Sequence, residues 1–177
     1  MTFHGGKNRT VDMDIKLTAV APTVKFGDTK EGTFAIRLAT PLDEPHSRAK
    51  GPERTGKMVD SEGKVGESQI WGKRAAWVDY SGQLNGKPYG VAFFDHPQNP
   101  KHPTYWHARS YGLFAANPFG EHDYYNDPKR DGSITLKKGE TVRFRYRVVI
   151  HAGDTKAAGI ADLYKEYAPK MSSSATR

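Results

Sequence analysis

The sequence predicts an all-β domain: an antiparallel β-sandwich with one C-terminal helix. Apolar and polar residues alternate with the period of half-buried strands in three segments, residues 11–20, 34–38 and 140–151. Turn signals such as Asn85-Gly86 separate these segments, and strands joined by turns without intervening helices favour a sandwich over an α/β fold. Apolar residues then recur at helical spacing from Ala157 to Tyr167, and Asp154 is a candidate N-cap.

The segment 140–151 has the clearest strand pattern. Val142, Phe144 and Tyr146 occupy one face, and Arg143, Arg145 and Arg147 occupy the other. Such an arginine stripe is typical of a solvated sheet face, and an anionic polymer is the alternative partner.

The length of 177 residues predicts a single domain over residues 1–170. From Pro41 to Gln69 the strand pattern stops, so residues 41–69 are predicted to form a long polar loop. Residues 171–177 are predicted to be a frayed tail.

Composition excludes several classes of function. The chain has no cysteine, which excludes disulfides, thiolate metal sites and cysteine nucleophiles. Its net charge is +7, but the basic residues are scattered, so we expect no nucleic-acid partner. No segment reaches the ~18 apolar residues of a membrane helix, and the first residues lack the apolar core of a signal peptide. We therefore expect a soluble chain without a membrane partner, in a compartment that the sequence does not indicate.

The region between Asp95 and His122 is the densest in chemically active side chains. It contains four of the seven histidines, His96, His102, His107 and His122. Histidine is a common metal ligand and a common acid or base near neutral pH. The region is consistent with three interpretations: a pocket for a carbohydrate or other polar small molecule, a histidine metal site, or a loop braced by aromatic residues. The spacings of six and five residues match no standard zinc pattern.

The pocket interpretation assigns a role to each residue. In an enzyme, His107 or His96 would be the general acid or base, and a carboxylate from Asp28, Glu31 or Asp95 would assist. Trp106 and Tyr111 would form a stacking wall, and Arg109 and Asn117 would donate hydrogen bonds; His102 and His122 complete the predicted ligand-binding set. Asp28 has an alternative role as an ordinary turn residue. We expect no cofactor, since the sequence has no glycine-rich phosphate loop.

The strand period makes His107 the test of this pocket. If residues 106–116 form one strand, then Tyr105, His107, Arg109 and Tyr111 share a face. A core would hardly accept an arginine and a histidine in one row, so we predict that His107 is partly exposed in a cleft.

Several segments together resemble a bacterial family labelled PmoA family or DUF6807. They are VKFGDTKEG (24–32), WGKRAAWVDYSG (71–82), FDHP through PTYWH (94–107), YGLFAANPFG (111–120) and RYRVVIH (145–151). The resemblance implies a galactose mutarotase-like β-sandwich from bacteria that degrade polysaccharides. It also implies that this chain corresponds to the C-terminal part of a longer family domain. The PmoA label suggests a methane monooxygenase subunit, but such a subunit needs membrane spans that this sequence lacks.

Overall fold

The computed structural model describes residues 1–47 and 53–168. Within these residues the chain forms eleven strands and three α-helices, with a 3-10 turn at Thr40–Leu42. In chain order they are β1 (Thr2–His4), β2 (Arg9–Thr18), β3 (Thr23–Phe26), β4 (Phe34–Arg37), β5 (Lys57–Asp60), α1 (Glu67–Ile70), β6 (Trp77–Leu84), β7 (Lys87–Asp95), β8 (Tyr105–Ala108), β9 (Leu113–Asn117), α2 (Glu121–Tyr125), β10 (Ile134–Lys137), β11 (Thr141–Ala152) and α3 (Ile160–Tyr167).

The strands form antiparallel sheets. Six strands make the larger sheet in the order β1-β2-β11-β7-β6-β5, three make the smaller sheet in the order β4-β9-β8, and β3 pairs with β10. Every pairing between these strands is antiparallel. The prediction of an antiparallel sandwich-like fold with a C-terminal helix is therefore confirmed.

The core lies between the two larger sheets, with Phe93 of β7 near its centre. Its ring centroid lies 5.1 Å from that of Trp106 and 5.2 Å from that of Phe34, both on the smaller sheet. It also lies 5.4 Å from the ring of Tyr146, on the neighbouring strand β11. These contacts are edge-on, which is a favoured aromatic geometry. The alternation of β11 thus buries the face that the sequence predicts.

The hairpin between β6 and β7 follows from its turn residues. Asn85 and Gly86 both have positive φ, 53° and 72°, as a two-residue type I′ turn requires. Register then pairs Leu84 with Lys87 and runs without interruption to Trp77 and Phe94. The predicted turn is confirmed.

The prediction that residues 41–69 form one long loop is wrong where the structure describes them. Strand β5 and helix α1 lie in this segment, and Met58 and Ile70 are fully buried in the core. Each element has only four residues, so neither is long enough to show a period in the sequence. The predicted tail at 171–177 lies outside the described residues.

Helix α3 packs on the outer face of the six-stranded sheet. Ile160 and Tyr167 of the helix bury Phe94 and Val149 of the sheet. The helix begins at Ile160, later than predicted, because Gly159 before it has a left-handed conformation with a φ of 67°. Asp154 accepts hydrogen bonds from the backbone of residues 156 and 157 in the preceding turn. The predicted N-cap is therefore a turn residue instead.

A histidine–carboxylate pair lies beneath the turn that leads into α3. His151 Nε2 lies 2.8 Å from Asp79 Oδ1, and the hydroxyl of Thr155 donates to Asp79 Oδ2 at 2.6 Å. The side chains of His151 and Asp79 have no solvent exposure. Gly90 makes room for the ring, since a Cβ there would lie 2.4 Å from Cε1 of His151. This pair is part of the scaffold.

The arginine stripe of β11 is largely neutralised. Arg147 forms an ion pair with Asp12 at 2.6 Å, and Arg143 forms one with Asp14 on the adjacent strand. Arg145 donates to the side chain of Gln98. The arginine side chains of this outer sheet face are thus paired with side chains of the same protein, which agrees with the interpretation of the stripe as an ordinary sheet face.

Candidate functional site

The region from Trp106 to Ala116 is a hairpin, so the prediction of one strand is wrong. Strands β8 and β9 pair antiparallel, and the chain reverses where Gly112 has a φ of 78°. Tyr111 therefore lies in the turn and does not continue the row of Tyr105 and His107. The hairpin places Asn117 directly opposite Tyr105, so it joins their face of the sheet. Sequence periodicity missed the reversal because alternation continues on both sides of it.

Trp106 packs in the core, which corrects its predicted place in a stacking wall. Its side chain has no solvent exposure, and its indole Nε1 donates to the carbonyl of Ala75 at 2.9 Å. A ring with both faces buried offers no surface to a ligand.

His107 is buried, contrary to the predicted partial exposure; it is 5% exposed. Its Nδ1 lies 3.3 Å from the indole Nε1 of Trp71. An indole nitrogen can only donate, so this Nδ1 must be an acceptor and the neutral ring carries its proton on Nε2. Burial and the nearby Arg109 guanidinium lower the pKa of His107, which also favours the neutral ring. His107 is thus suited to donate a hydrogen bond and poorly suited to act as a base.

Asn117 and Tyr124 hold the loop over residues 27–32. The amide of Asn117 donates to the carbonyl of Thr29 and to the hydroxyl of Tyr124, each at 2.8 Å, and its oxygen accepts from the backbone of Phe119. Asn117 has no exposure. Its predicted role as a ligand donor is replaced by one in the scaffold, because all of these groups are already used.

Asp95 organises the proline-rich loop after β7. It accepts hydrogen bonds from Asn99 at 2.7 Å and from the backbone of Thr104 at 2.9 Å, and His102 Nδ1 lies 2.7 Å from its Oδ2. Asp95 is 1% exposed, whereas the side chain of His102 is 19% exposed. The two predicted residues are brought together, with the histidine between the carboxylate and the surface.

His96 lies on the inner side of the same loop, and it is buried. Its Nδ1 accepts from the backbone of Gln98 and its ring packs edge-on against Tyr167. Burial and the charge of Arg145 lower its pKa. A neutral, enclosed ring here does not suit the predicted role as an acid or base.

Asp28 and His122 also come together, from positions 94 residues apart. The carboxylate of Asp28 accepts hydrogen bonds from the backbone of His122 at 3.2 Å and of Gly132 at 2.5 Å, and it lies 3.0 Å from His122 Nδ1. Asp28 therefore connects its own loop to the backbone at His122 and Gly132, in keeping with its alternative role as a structural turn residue. Glu31 is exposed, and its charge acts on His107.

The open site lies next to the β8–β9 turn, where the backbone leaves a cleft of about 730 Å³. This volume is within the roughly 300–1,000 Å³ of small-molecule sites. It exceeds the groove of 390 Å³ beside Ser81 and that of 280 Å³ beside Trp77. Its lining is polar apart from one aromatic ring: His46, Glu67, Ser68, Arg109, Ser110 and Tyr111.

Glu67 and Arg109 form the wall of this cleft. Their charged groups lie 2.8 Å apart, and the second oxygen of Glu67 accepts from the backbone of Ser110 at 2.6 Å. The Nε–H of Arg109 has no hydrogen-bond partner among the described residues, because it is not directed at the carboxylate. This nitrogen is buried, so the donors that a ligand can use are the terminal nitrogens of the guanidinium, which form no hydrogen bond within the described residues.

Two arginines contact the ring of Tyr111. The guanidinium carbons of Arg37 and Arg109 lie 4.8 Å and 5.5 Å from the ring centroid, within cation–π range. Of the residues predicted for the pocket, Arg109 and Tyr111 therefore belong to the cleft. His46, Glu67 and Arg37 were missed, since they come from segments without a motif.

The histidines do not converge on a metal site within residues 1–47 and 53–168. No group of three or more potential metal ligands occurs there. His102 contacts Asp95, His107 contacts Trp71 and His122 contacts Asp28. The alternative of a histidine metal site has no support in this geometry.

One known protein family matches most of this chain. A family model described as a family of unknown function, DUF6807, matches residues 1–165. The chain belongs to the DUF6807 family. The family description contains no PmoA or oxygenase designation, and no helix in the described part of the chain is both long and apolar enough to cross a membrane. Searches of curated proteins and of solved structures found no match to this DUF6807 chain.

Proposed function

We propose that this DUF6807 chain binds a carbohydrate or a similar polyhydroxylated small molecule in the cleft beside the β8–β9 turn. The observation that carries the proposal is the pairing of Glu67 with Arg109 on the cleft wall. Adjacent acceptors and donors of this kind suit the neighbouring hydroxyl groups of a sugar. The terminal nitrogens of Arg109 support the same conclusion, because the side chain is 34% exposed and these donors form no hydrogen bond within the described residues.

A binding module is favoured over an enzyme. The histidine of the predicted acid/base pair, His107, has its Nδ1 in contact with Trp71 and a lowered pKa. Asp28 and Asp95, two of the three predicted carboxylate partners, hold loops through backbone hydrogen bonds. Groups already committed in this way are poor candidates for moving protons.

A sugar-processing enzyme is the second candidate, and the pair Asp95–His102 favours it. A buried carboxylate that holds Nδ1 of a partly exposed histidine leaves Nε2 available as a base. His102→Gln would then abolish turnover of an oligosaccharide while leaving its binding constant unchanged. A galactose mutarotase-like relationship would fit either candidate, and it stays a prediction.

The binding proposal is tested by titration with a panel of oligosaccharides, using calorimetry or NMR. The variants Arg109→Gln and Glu67→Gln each remove one member of the pair, and Arg143→Gln serves as a control because it breaks an arginine–carboxylate pair on the opposite side of the sandwich. Hydrogen bonds to charged groups are worth about 1.5–3 kcal/mol, so we expect roughly 10- to 100-fold weaker binding in the two cleft variants alone. Equal affinity in all four proteins would overturn the proposal, as would the failure of every sugar to bind.

A further inference from the structure

A cation without an ion-pair partner among the described residues lies at the edge of the cleft. Arg37 is the last residue of β4, pairs with Leu113 across the sheet and is exposed. Its guanidinium carbon lies 4.8 Å from the centroid of Tyr111, which lines the cleft. No carboxylate of the described residues lies within ion-pair distance of Arg37, although the neighbouring Arg109 has Glu67 at 2.8 Å.

The described acidic groups near Arg37 form no ion pair with it. The charge of Asp43 acts on Arg37, but Asp43 is 1% exposed, and its ion pair is with Arg54, 3.8 Å away. Burial raises the pKa of Asp43, and it raises that of Glu44 as well. Arg109 thus lines the cleft and Arg37 borders it through Tyr111, whereas two of the three nearby carboxylates, Asp43 and Glu44, are buried.

The aromatic surface that neutral sugars usually stack on is not free here. Trp106 is buried in the core, and the ring of Tyr111 already contacts two guanidinium groups. These contacts orient Arg37 and Arg109 at one edge of the cleft before any ligand arrives, which lowers the entropy cost of binding. Recognition at this edge is therefore electrostatic.

We propose that the ligand is an acidic saccharide, a uronate whose carboxylate is bound by Arg37 while Glu67 and Arg109 bind its hydroxyl groups. A planar guanidinium matches a carboxylate with two parallel hydrogen bonds, and such charge-assisted bonds are stronger than neutral ones. The net charge of +7 favours the approach of an anionic chain. This inference rests on the proposed function of the cleft and adds the charge of its ligand.

The test compares acids with their own esters. Trisaccharides of galacturonic, glucuronic and mannuronic acid are each titrated beside the methyl ester, which has the same sugar without the charge. Arg37→Gln is the test variant, and Arg9→Gln is the control, since it removes one exposed arginine from a distant strand. We expect at least one acid to bind about tenfold or more tightly than its ester, with affinity falling as salt increases. Arg37→Gln should remove this preference, and Arg9→Gln should retain it.

The outcomes separate the two proposals. Equal binding of acid and ester by the unmodified protein overturns the acidic ligand and leaves carbohydrate binding standing. A preference for the acid that survives in Arg37→Gln overturns the assignment of the carboxylate to Arg37. If neither acids, esters nor neutral sugars bind, carbohydrate binding fails, and the acidic ligand fails with it.

Discussion

The two outer faces of the sandwich both present an acidic group beside a basic one, but they treat the pair differently. On the six-stranded sheet, Asp79 and His151 are sealed beneath the turn that leads into α3, and Thr155 satisfies the remaining carboxylate oxygen. Beside the β8–β9 turn, at the edge of the three-stranded sheet, Glu67 and Arg109 are 25% and 34% exposed, and within the described residues the terminal nitrogens of the arginine form no hydrogen bond. Residue type therefore does not distinguish a structural pair from a pair in a binding site. The burial of the two side chains and the completion of their hydrogen bonds distinguish them.

The largest effect should come from the core that separates the two faces. We expect Trp106→Ala to lower the free energy of unfolding by about 3–5 kcal/mol, because it leaves a cavity beside Phe93 and an unpaired carbonyl at Ala75. Chemical denaturation measures this loss. If Trp106→Ala has normal stability but no longer binds sugar, then Trp106 belongs to the ligand site and its assignment to the core is wrong.

The second-largest loss of stability is expected at the buried pair of Asp79 and His151. His151→Ala should cost about 3 kcal/mol, since it leaves the charge of Asp79 buried without its partner. His4→Ala is the matched control: His4 contacts Asp12 at 2.9 Å, but the two side chains are 45% and 28% exposed to solvent. We expect its cost to be below about 1 kcal/mol. Equal losses in the two variants would contradict the distinction between sealed and open pairs.

The same pair should depend on pH in a defined direction. Burial disfavours the charged imidazole, but the hydrogen bond and charge of Asp79 outweigh it and raise the pKa of His151 above 6.5. The stability that this shift contributes is complete below pH 6.5 and is lost as pH rises through the folded pKa. The difference in unfolding free energy between the unmodified protein and His151→Ala should therefore shrink towards alkaline pH. A difference that grows above pH 7 would show that the shift has the opposite sign.

A smaller effect is expected in the loop that Asp95 organises. Asn99→Ala removes the hydrogen bond to Asp95 and two more to the backbone of Arg145, so we expect a loss of about 1–3 kcal/mol and faster amide exchange in residues 96–104. Gln98→Ala is the control, because Gln98 is exposed and reaches only the side chain of Arg145. Unchanged exchange in Asn99→Ala would show that the loop is held by other contacts.

The smallest effect on stability should come from the open pair. Arg109→Gln should cost less than about 1 kcal/mol, which for a chain of this size is a melting-temperature shift of about 2–4 °C at most. A scanning calorimetry measurement on the variants used in the sugar titrations checks this. A large loss of stability would mean that Arg109 is part of the scaffold and that any loss of binding is indirect.

Part of the candidate site could be predicted from the sequence. Arg109 and Tyr111 belong to a dense segment of polar and aromatic residues, and both line or border the cleft. Glu67 and His46 could not be predicted, because they come from a segment whose described strand and α-helix are each four residues long, too short to show a period. Their place in the cleft depends on contacts more than 40 residues apart in the chain, such as that between Glu67 and Ser110.

What the sequence alone determined is the strands with a clear period and the faces of those strands, because alternation and turn chemistry are local. Val142, Phe144 and Tyr146 are buried as their period requires, and Asn85-Gly86 turns where its positive φ is needed. What the tertiary structure decided is which polar residues remain available to a ligand. His107, Asn117 and Asp95 have the composition of a site, but Trp71, Thr29 and Asn99 use their hydrogen-bonding groups. Such partners are brought together only by the packing of the sheets, and no local pattern specifies them.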